Sequence, residues 1–310
     1  MNKPLVVVVV GPTASGKTSL GIEIAKHFDG EIVSADSMQI YKNMDIATAK
    51  PTDEEQAQAK HHLIGFLDPD EDFSVAKYKE LAIKSIDDII SRGKLPVVVG
   101  GTGLYIDTLI NNTEFLDYEK SDIRVKLEGR AESEGIEALY SELKDIDPRT
   151  ADKLHINDNK RIIRALEVYY STGKTISDQC ELSHLNESKY RFCVVGMTAQ
   201  DRQYLYDRIN LRVDIMLETG LVEEAKQFFA HTLGITAKQA IGYKELKPYL
   251  DGYITLEEAV EKLKMETRRY AKRQLTWFRR NKDIHWYSID TMDKDKILNS
   301  IFKMIDEERR

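Results

Sequence analysis

Leu5 to Val10 is an unbroken apolar run rich in β-branched valine, entered from a charged, proline-containing start and closed by Gly11. A run with no polar face predicts a strand buried on both sides. Glu31–Ala35 and Leu95–Val99 give two more strands near the front of the chain, and Phe192–Gly196 a fourth much later. Between them apolar residues recur at helical spacing. Leu20, Ile22, Ile24 and Ala25 predict an amphipathic helix that stops near Gly30. Strands that alternate with helices predict an α/β fold with a parallel sheet. A polar, helix-rich stretch of roughly 114–189 is punctuated by Gly135, Pro148 and Gly173 and has no long β-branched run. It reads as a helical insertion, which leaves 1–113 and 190–310 as the core. Within the insertion, Asn157–Tyr170 predicts a helix with Ile162, Ile163, Leu166, Val168 and Tyr169 on its apolar side. Further on, Leu205, Ile209, Val213 and Met216 predict helix across Thr198–Ala230. Thr255 and Glu258 form a capping box that opens a helix running through Val260, Leu263, Tyr270 and Trp277.

The turn after the first strand carries the chemistry. Gly11-Pro12-Thr13-Ala14-Ser15-Gly16-Lys17-Thr18 fits G-x-x-x-x-G-K-[ST], in the strand–loop–helix context that a phosphate-binding P-loop requires. Its glycines let successive N–H groups turn inward, the helix N-terminus adds partial positive charge, and Lys17 adds a full one. The Thr18 hydroxyl can hold Mg²⁺. The expected fold class is therefore a P-loop NTPase-like parallel sheet flanked by helices. The loop says that a di- or triphosphate binds, not which of its bonds breaks.

Two more strand ends lie at the same rim, because ligands of open parallel sheets bind outside the carboxyl ends of the strands. The second strand ends in Ser34-Ala35-Asp36-Ser37-Met38-Gln39. A carboxylate facing a phosphate loop repels the ligand unless it holds a metal or serves as a base toward a second substrate, so Asp36 is a candidate catalytic residue. The alternative is an Asx turn. The third strand ends in Gly100-Gly101-Thr102-Gly103, with no acid of the kind that holds Mg²⁺ in nucleotide hydrolases. Arg208 and Arg212 stand four apart on one predicted helix, and either could supply a cation for charge that develops on a phosphate.

Composition narrows the partners. The chain has 310 residues, 42% hydrophobic and 31% charged, and a net charge of −7, which by itself argues mildly against nucleic acid. The distribution reverses that argument. Lys264, Arg268, Arg269, Lys272, Arg273, Arg279, Arg280 and Lys282 lie within one short stretch whose only acid is Glu266. Tyr270, Trp277 and Phe278 are interleaved with them. This reads as a track for a phosphate backbone or as a solvated basic face. Lys160, Arg161 and Arg164 form a smaller cluster. Two cysteines, Cys180 and Cys193, make neither a zinc site nor a disulfide framework. The adjacent His61 and His62 would point to opposite faces of a strand and read as structural. The apolar runs are too short for a signal sequence or a membrane span, so the cytoplasm is the expected location.

GPTASGKT, SADSMQIY, HHLIGFLDP, VVGGTGLY, RIIRALEVY, AIGYKEL and RRYAKRQLTWFRR, in this order, resemble the bacterial tRNA dimethylallyltransferase (tRNA isopentenyltransferase) family over most of the chain. The resemblance implies transfer of a dimethylallyl group from dimethylallyl diphosphate to N6 of the adenosine just 3′ of the anticodon, position 37, with Mg²⁺ as cofactor and diphosphate released. By motif, Gly11 to Thr18 would bind the diphosphate, Thr13 and Arg212 would stand beside it, and Asp36 would face the amine. Ser37, Met38, Gln39, Thr102, Arg124 and the segment Lys160, Arg161, Ile162, Ile163 and Arg164 would touch the tRNA anticodon stem-loop. Arg268, Arg269, Lys272 and Arg273 are expected to contact its phosphates. A monomer without a membrane partner is expected. The competing readings are a P-loop kinase of a small metabolite, which would consume ATP, and an RNA- or nucleotide-binding module without turnover.

Overall fold

The computed structural model describes residues 3–115, 122–185 and 187–310. Among the described residues six strands, β1 (Leu5–Val10), β2 (Gly30–Ser34), β3 (His61–His62), β4 (Leu95–Gly100), β5 (Arg191–Thr198) and β6 (His285–Ser288), form one parallel sheet in the order β3-β2-β4-β1-β5-β6. The valine run lies at the centre of this sheet, hydrogen-bonded to β4 on one side and β5 on the other, with Val6 to Val10 all at most 1% exposed. Burial on this scale contributes roughly 1.5–3 kcal/mol per side chain and explains why no polar residue interrupts the run. Val7, Val9, Val97, Val99, Val195 and Met197 share one face, packed against Leu20 and Ile24 of the Lys17–His27 helix and Ile297, Ile301 and Ile305 of the Lys294–Arg309 helix.

The α/β class and the parallel sheet are as the apolar pattern predicts. β3 and β6 were not expected: each is a short edge strand of four residues or fewer without an apolar run. The first helix ends at His27, since Gly30 already belongs to β2. The helical pattern across Thr198–Ala230 is divided between β5 and two helices, Arg202–Glu218 and Leu221–Phe229. The break falls at Gly220, whose φ of +104° a helix cannot take. The capping box at Thr255 is present and starts the Leu256–Phe278 helix.

The chain divides into two compact units, Met1–Thr108 with Lys189–Arg310, and Leu109–Ser188. The second begins at 109, inside the Gly103–Ile110 helix, where the sequence placed the insertion at 114–189. Its own core is made of Leu127, Leu139, Leu143, Ile162 and Leu166 from three helices, Ile123–Glu134, Ile136–Ile146 and Asn159–Thr172. Among the described residues no helix is long and apolar enough to cross a membrane.

Candidate active site

The end of β1 delivers the chain to Gly11, where φ is +145° and an added Cβ would lie 2.3 Å from the Met197 carbonyl oxygen of β5. Only glycine lets the loop cross there. Gly16, at φ +85°, precedes the helix and its carbonyl accepts Leu20 N–H at 3.1 Å. Between them the loop folds back on its own lysine, since Lys17 Nζ donates to the Pro12 carbonyl at 2.6 Å. Ser15 is fully buried, and among the described residues its hydroxyl has no hydrogen-bond partner.

Two arginines of the Arg202–Glu218 helix complete the loop. Arg212 donates to Thr13 Oγ1 at 3.3 Å, and Arg208 Nε donates to the Ala14 carbonyl at 2.8 Å. Burial, with a further push from Arg212, lowers the Lys17 ammonium to about 7, against the pull of Asp36. Burial also lowers Arg212; Asp36 and Glu55 partly offset this, and the like charge of Arg208 lowers it further. Three cations thus crowd one loop while their hydrogen bonds go to neutral oxygens. A charged group held so is stabilised by an incoming anion. Position separates the two arginines as spacing could not. Both border the outer mouth of the loop, but only Arg212 also lines the cavity shared with Asp36.

That cavity, about 300 Å³, is lined by Thr13, Lys17, Thr18 and Arg212 on the loop side and by Asp36, Ser37, Met38 and Gln39 opposite. Asp36 Oδ1 accepts Met38 N–H at 2.9 Å and Gln39 N–H at 3.4 Å. It is therefore an Asx turn as well as a carboxylate on the phosphate cavity, and the turn is what aims it. Thr102 stands behind this segment. Its Oγ1 accepts Ser37 N–H at 3.0 Å, so it braces the turn.

The Leu256–Phe278 helix closes the cavity with residues whose place the sequence did not reveal. Gln274 is 5% exposed; its Oε1 accepts Thr13 N–H at 2.8 Å and its Nε2 donates to the Gly101 carbonyl at 2.9 Å. It ties the P-loop to the glycine turn after β4, and an added Cβ on Gly101 would meet it at 2.2 Å. The only signal in the sequence was a polar residue on the buried face of an amphipathic helix. Tyr270 lines the same cavity, with its hydroxyl held neutral by burial and by Asp36. Arg273 also lines the cavity, which goes beyond the backbone-track reading of that stripe.

The rest of the stripe is mixed. Arg268 donates to Asn210 Oδ1 at 2.6 Å and lies over the Tyr206 ring, and Lys264 pairs with Asp214 at 2.6 Å. Arg269 pairs with Glu266 at 2.6 Å and stays exposed, as does Lys272. In the Leu109–Ser188 unit, Lys160, Arg161 and Arg164 are exposed on one helix. Arg161 faces Asp158 at 3.6 Å, Arg164 faces Glu167 at 3.0 Å, and Arg124 bridges Glu128 and Glu167. Ile162 and Ile163 correct the expectation for this segment. At 0% and 6% exposure they are core residues of the unit and have no surface to offer a tRNA.

The IPP transferase family model matches residues 39–281. A tRNA dimethylallyltransferase of Acetivibrio thermocellus is 54% identical over 300 residues, covering 96% of each chain. One from Halalkalibacterium halodurans is 46% identical over 305 residues, 98% of this chain and 97% of its own. The solved tRNA isopentenylpyrophosphate transferase of Bacillus halodurans superposes with a TM-score of 0.73 at 45% identity, covering 99% of this chain and 96% of that one. A eukaryotic dimethylallyltransferase solved acting on tRNA gives 0.82 at 31% identity, covering 96% of this chain and 78% of its own. Likeness at this level, over a P-loop that shares its cavity with a carboxylate, leaves one assignment: the chain belongs to the IPP transferase family of tRNA dimethylallyltransferases.

Proposed function

We propose that this chain transfers the dimethylallyl group of dimethylallyl diphosphate to N6 of adenosine 37 in tRNA and releases diphosphate. The observation that carries the reading is that one cavity holds both Asp36 and the cationic loop of Lys17, Thr18 and Arg212. A kinase could use the same pair, and it is the likeness to tRNA dimethylallyltransferases that favours prenyl transfer over it.

In the reaction the C–O bond between the prenyl carbon and the diphosphate breaks, the N6–carbon bond forms, and one N6 proton leaves. The adenine amine is a weak nucleophile because its lone pair is delocalised into the ring, so a carboxylate that accepts its proton raises its reactivity. Asp36 takes that role, with Oδ1 fixed by the turn. The base must leave its stack to reach the cavity. Negative charge grows on the departing diphosphate, where Lys17, Arg212 and the loop N–H groups receive it. Among the described residues no cluster of three or more His, Cys, Asp or Glu could hold a metal alone. Thr18, which lines the cavity beside Lys17, would hold Mg²⁺ through its hydroxyl. When bound, Mg²⁺ supplies charge neutralisation at the leaving group.

Ser37, Met38, Gln39 and Arg273 border the cavity on the acceptor side. Lys160, Arg161, Arg164, Arg269 and Lys272 offer exposed charge for tRNA phosphates. Arg124, Arg268 and Thr102 support such contacts through the pairs described above. We place the protein in the cytoplasm, acting as a monomer. The test is to incubate it with unmodified tRNA and either labelled dimethylallyl diphosphate or γ-labelled ATP. Prenyl label in N6 of adenosine 37 is expected; label moving from ATP to an acceptor overturns the reading.

A further inference from the structure

Three successive backbone N–H groups point at a carboxylate that no step above uses. Glu224, on the Leu221–Phe229 helix, accepts Asp45 N–H at 2.9 Å and Ile46 N–H at 2.8 Å through Oε2. Through Oε1 it accepts Ala47 N–H at 2.9 Å and the Tyr243 hydroxyl at 2.7 Å. Tyr243 is 1% exposed and its ring stacks on Phe228 with centroids 4.1 Å apart. Such a concave set of N–H groups is an anion site, and here the protein fills it with its own side chain.

What Glu224 joins gives the contact its meaning. Ala47, Thr48 and Ala49 form one wall of the cavity that holds Asp36, and Ala240, Ile241 and Gly242, just before Tyr243, form another. The two walls touch: Gly242 sits at φ +111°, and a Cβ there would lie 2.9 Å from Ala47 Cβ. The turn at 45–50 closes through Ala49 N–H to the Ile46 carbonyl and Lys50 N–H to the Asp45 carbonyl, with Ala49 in the left-handed region at φ +48°. The Gln39 amide donates to the Thr48 and Ala49 carbonyls at 3.2 and 3.1 Å. Gln39 thus holds the end of the turn nearest Asp36, and Glu224 holds the other end.

We propose that Glu224 is a positioning and specificity-determining residue. It clamps the Ala47 wall against Gly242 and so sets the width of the apolar side of the cavity, which admits a five-carbon prenyl chain and rejects a ten-carbon one. This rests on the dimethylallyl-transfer reading. Both carboxylate oxygens are used, each by two donors, so Glu224→Gln would turn an NH₂ group toward donors, and Glu224→Ala would leave three N–H groups without their acceptor.

The experiment measures kcat and KM for dimethylallyl and geranyl diphosphate with unmodified tRNA, and inhibition by inorganic diphosphate, in the parent, Glu224→Ala, Glu224→Gln and Tyr243→Phe. In Glu224→Ala, kcat/KM for the five-carbon donor should fall by about 10- to 100-fold, and the geranyl-to-dimethylallyl ratio should rise about tenfold. Inhibition by inorganic diphosphate should stay within about twofold, since the P-loop is untouched. Glu224→Gln and Tyr243→Phe should move the ratio the same way by less. A general loss of structure would lower both donors together and weaken diphosphate binding, which the ratio separates. An unmoved ratio in Glu224→Ala overturns the proposal; if that variant does not fold, an unmoved ratio in Tyr243→Phe does so. A parent that transfers no prenyl group overturns the function as well, whereas a parent that transfers while the ratio stays fixed overturns only the role of Glu224.

Discussion

The P-loop cavity and the basic turn at the start of the Asn159–Thr172 helix are both rich in cations, but they differ in what answers the charge. Around the loop, Lys17, Arg208 and Arg212 donate to two backbone carbonyls and a hydroxyl, and burial presses on Lys17 and Arg212. At the basic turn, Arg161 and Arg164 face carboxylates at 3.6 and 3.0 Å on an exposed surface. The first arrangement is costly until an anion arrives, and its partners cannot neutralise it. The second is already balanced and screened by water, where ion pairs contribute little. Equal sequence signals, a few basic residues at helical spacing, thus encode a preorganised electrostatic site in one place and a surface available to a polyanion in the other.

The largest effect that tests this contrast is at Asp36. Asp36→Asn keeps an oxygen for the Met38 and Gln39 N–H groups but removes the base. Steady-state assays should show kcat down by about 10²–10⁴ with diphosphate binding retained. Turnover near that of the parent would remove Asp36 as the base. Next comes the arginine pair. Arg212→Ala should lower kcat about 10²–10³-fold, as loss of a donor to developing charge does, and Arg208→Ala less than about tenfold. Equal losses would mean that proximity to the loop, not a place in the cavity, decides.

Surface charge should act on binding alone. Reversal of both Lys160 and Lys272 to Glu should weaken tRNA affinity and flatten the slope of log K against log salt by about 2, with kcat at saturating tRNA nearly unchanged. A titration series in salt checks this, and an unchanged slope would make both surfaces merely solvated. The smallest effect concerns the proton on Lys17. Its lowered value, about 7, leaves it largely neutral at pH 8 in the free site. A bound diphosphate favours the charged form, so binding should take up about one proton at pH 8 and little at pH 6, and affinity should fall as pH rises above 7. Calorimetry in buffers of different ionisation enthalpy reads the uptake. Lys17→Arg, which stays charged, should show none.

Much of this was legible in the sequence because burial leaves a mark there. β1, β2, β4 and β5 appear as apolar runs, and the P-loop announces itself because its backbone needs glycine at fixed places. What failed to show was geometry that residue types do not record. β3 and β6 are edge pieces held by a neighbour's hydrogen bonds, not by an apolar run of their own. Gly220 breaks a helix whose apolar spacing continues on both sides. Ile162 and Ile163 lie between basic neighbours in the chain, yet the helix turns them into the core. Spacing alone could not separate Arg208 from Arg212, of which only Arg212 lines the cavity with Asp36. Gln274 and Glu224 act through backbone atoms of distant segments, so no local pattern marks them.

The Gln274 bridge has a consequence for the order in which the molecule is made. Its bond to Thr13 spans 261 residues of chain. At roughly 5–20 residues per second on the ribosome, the P-loop waits on the order of tens of seconds before the amide that fixes Thr13 has been synthesised. The strand and loop that begin the site are therefore the last part of it to be finished. A nascent chain carries an open, unbraced phosphate loop until Gln274 has been made, and grip on the prenyl donor arrives together with the wall that faces the acceptor.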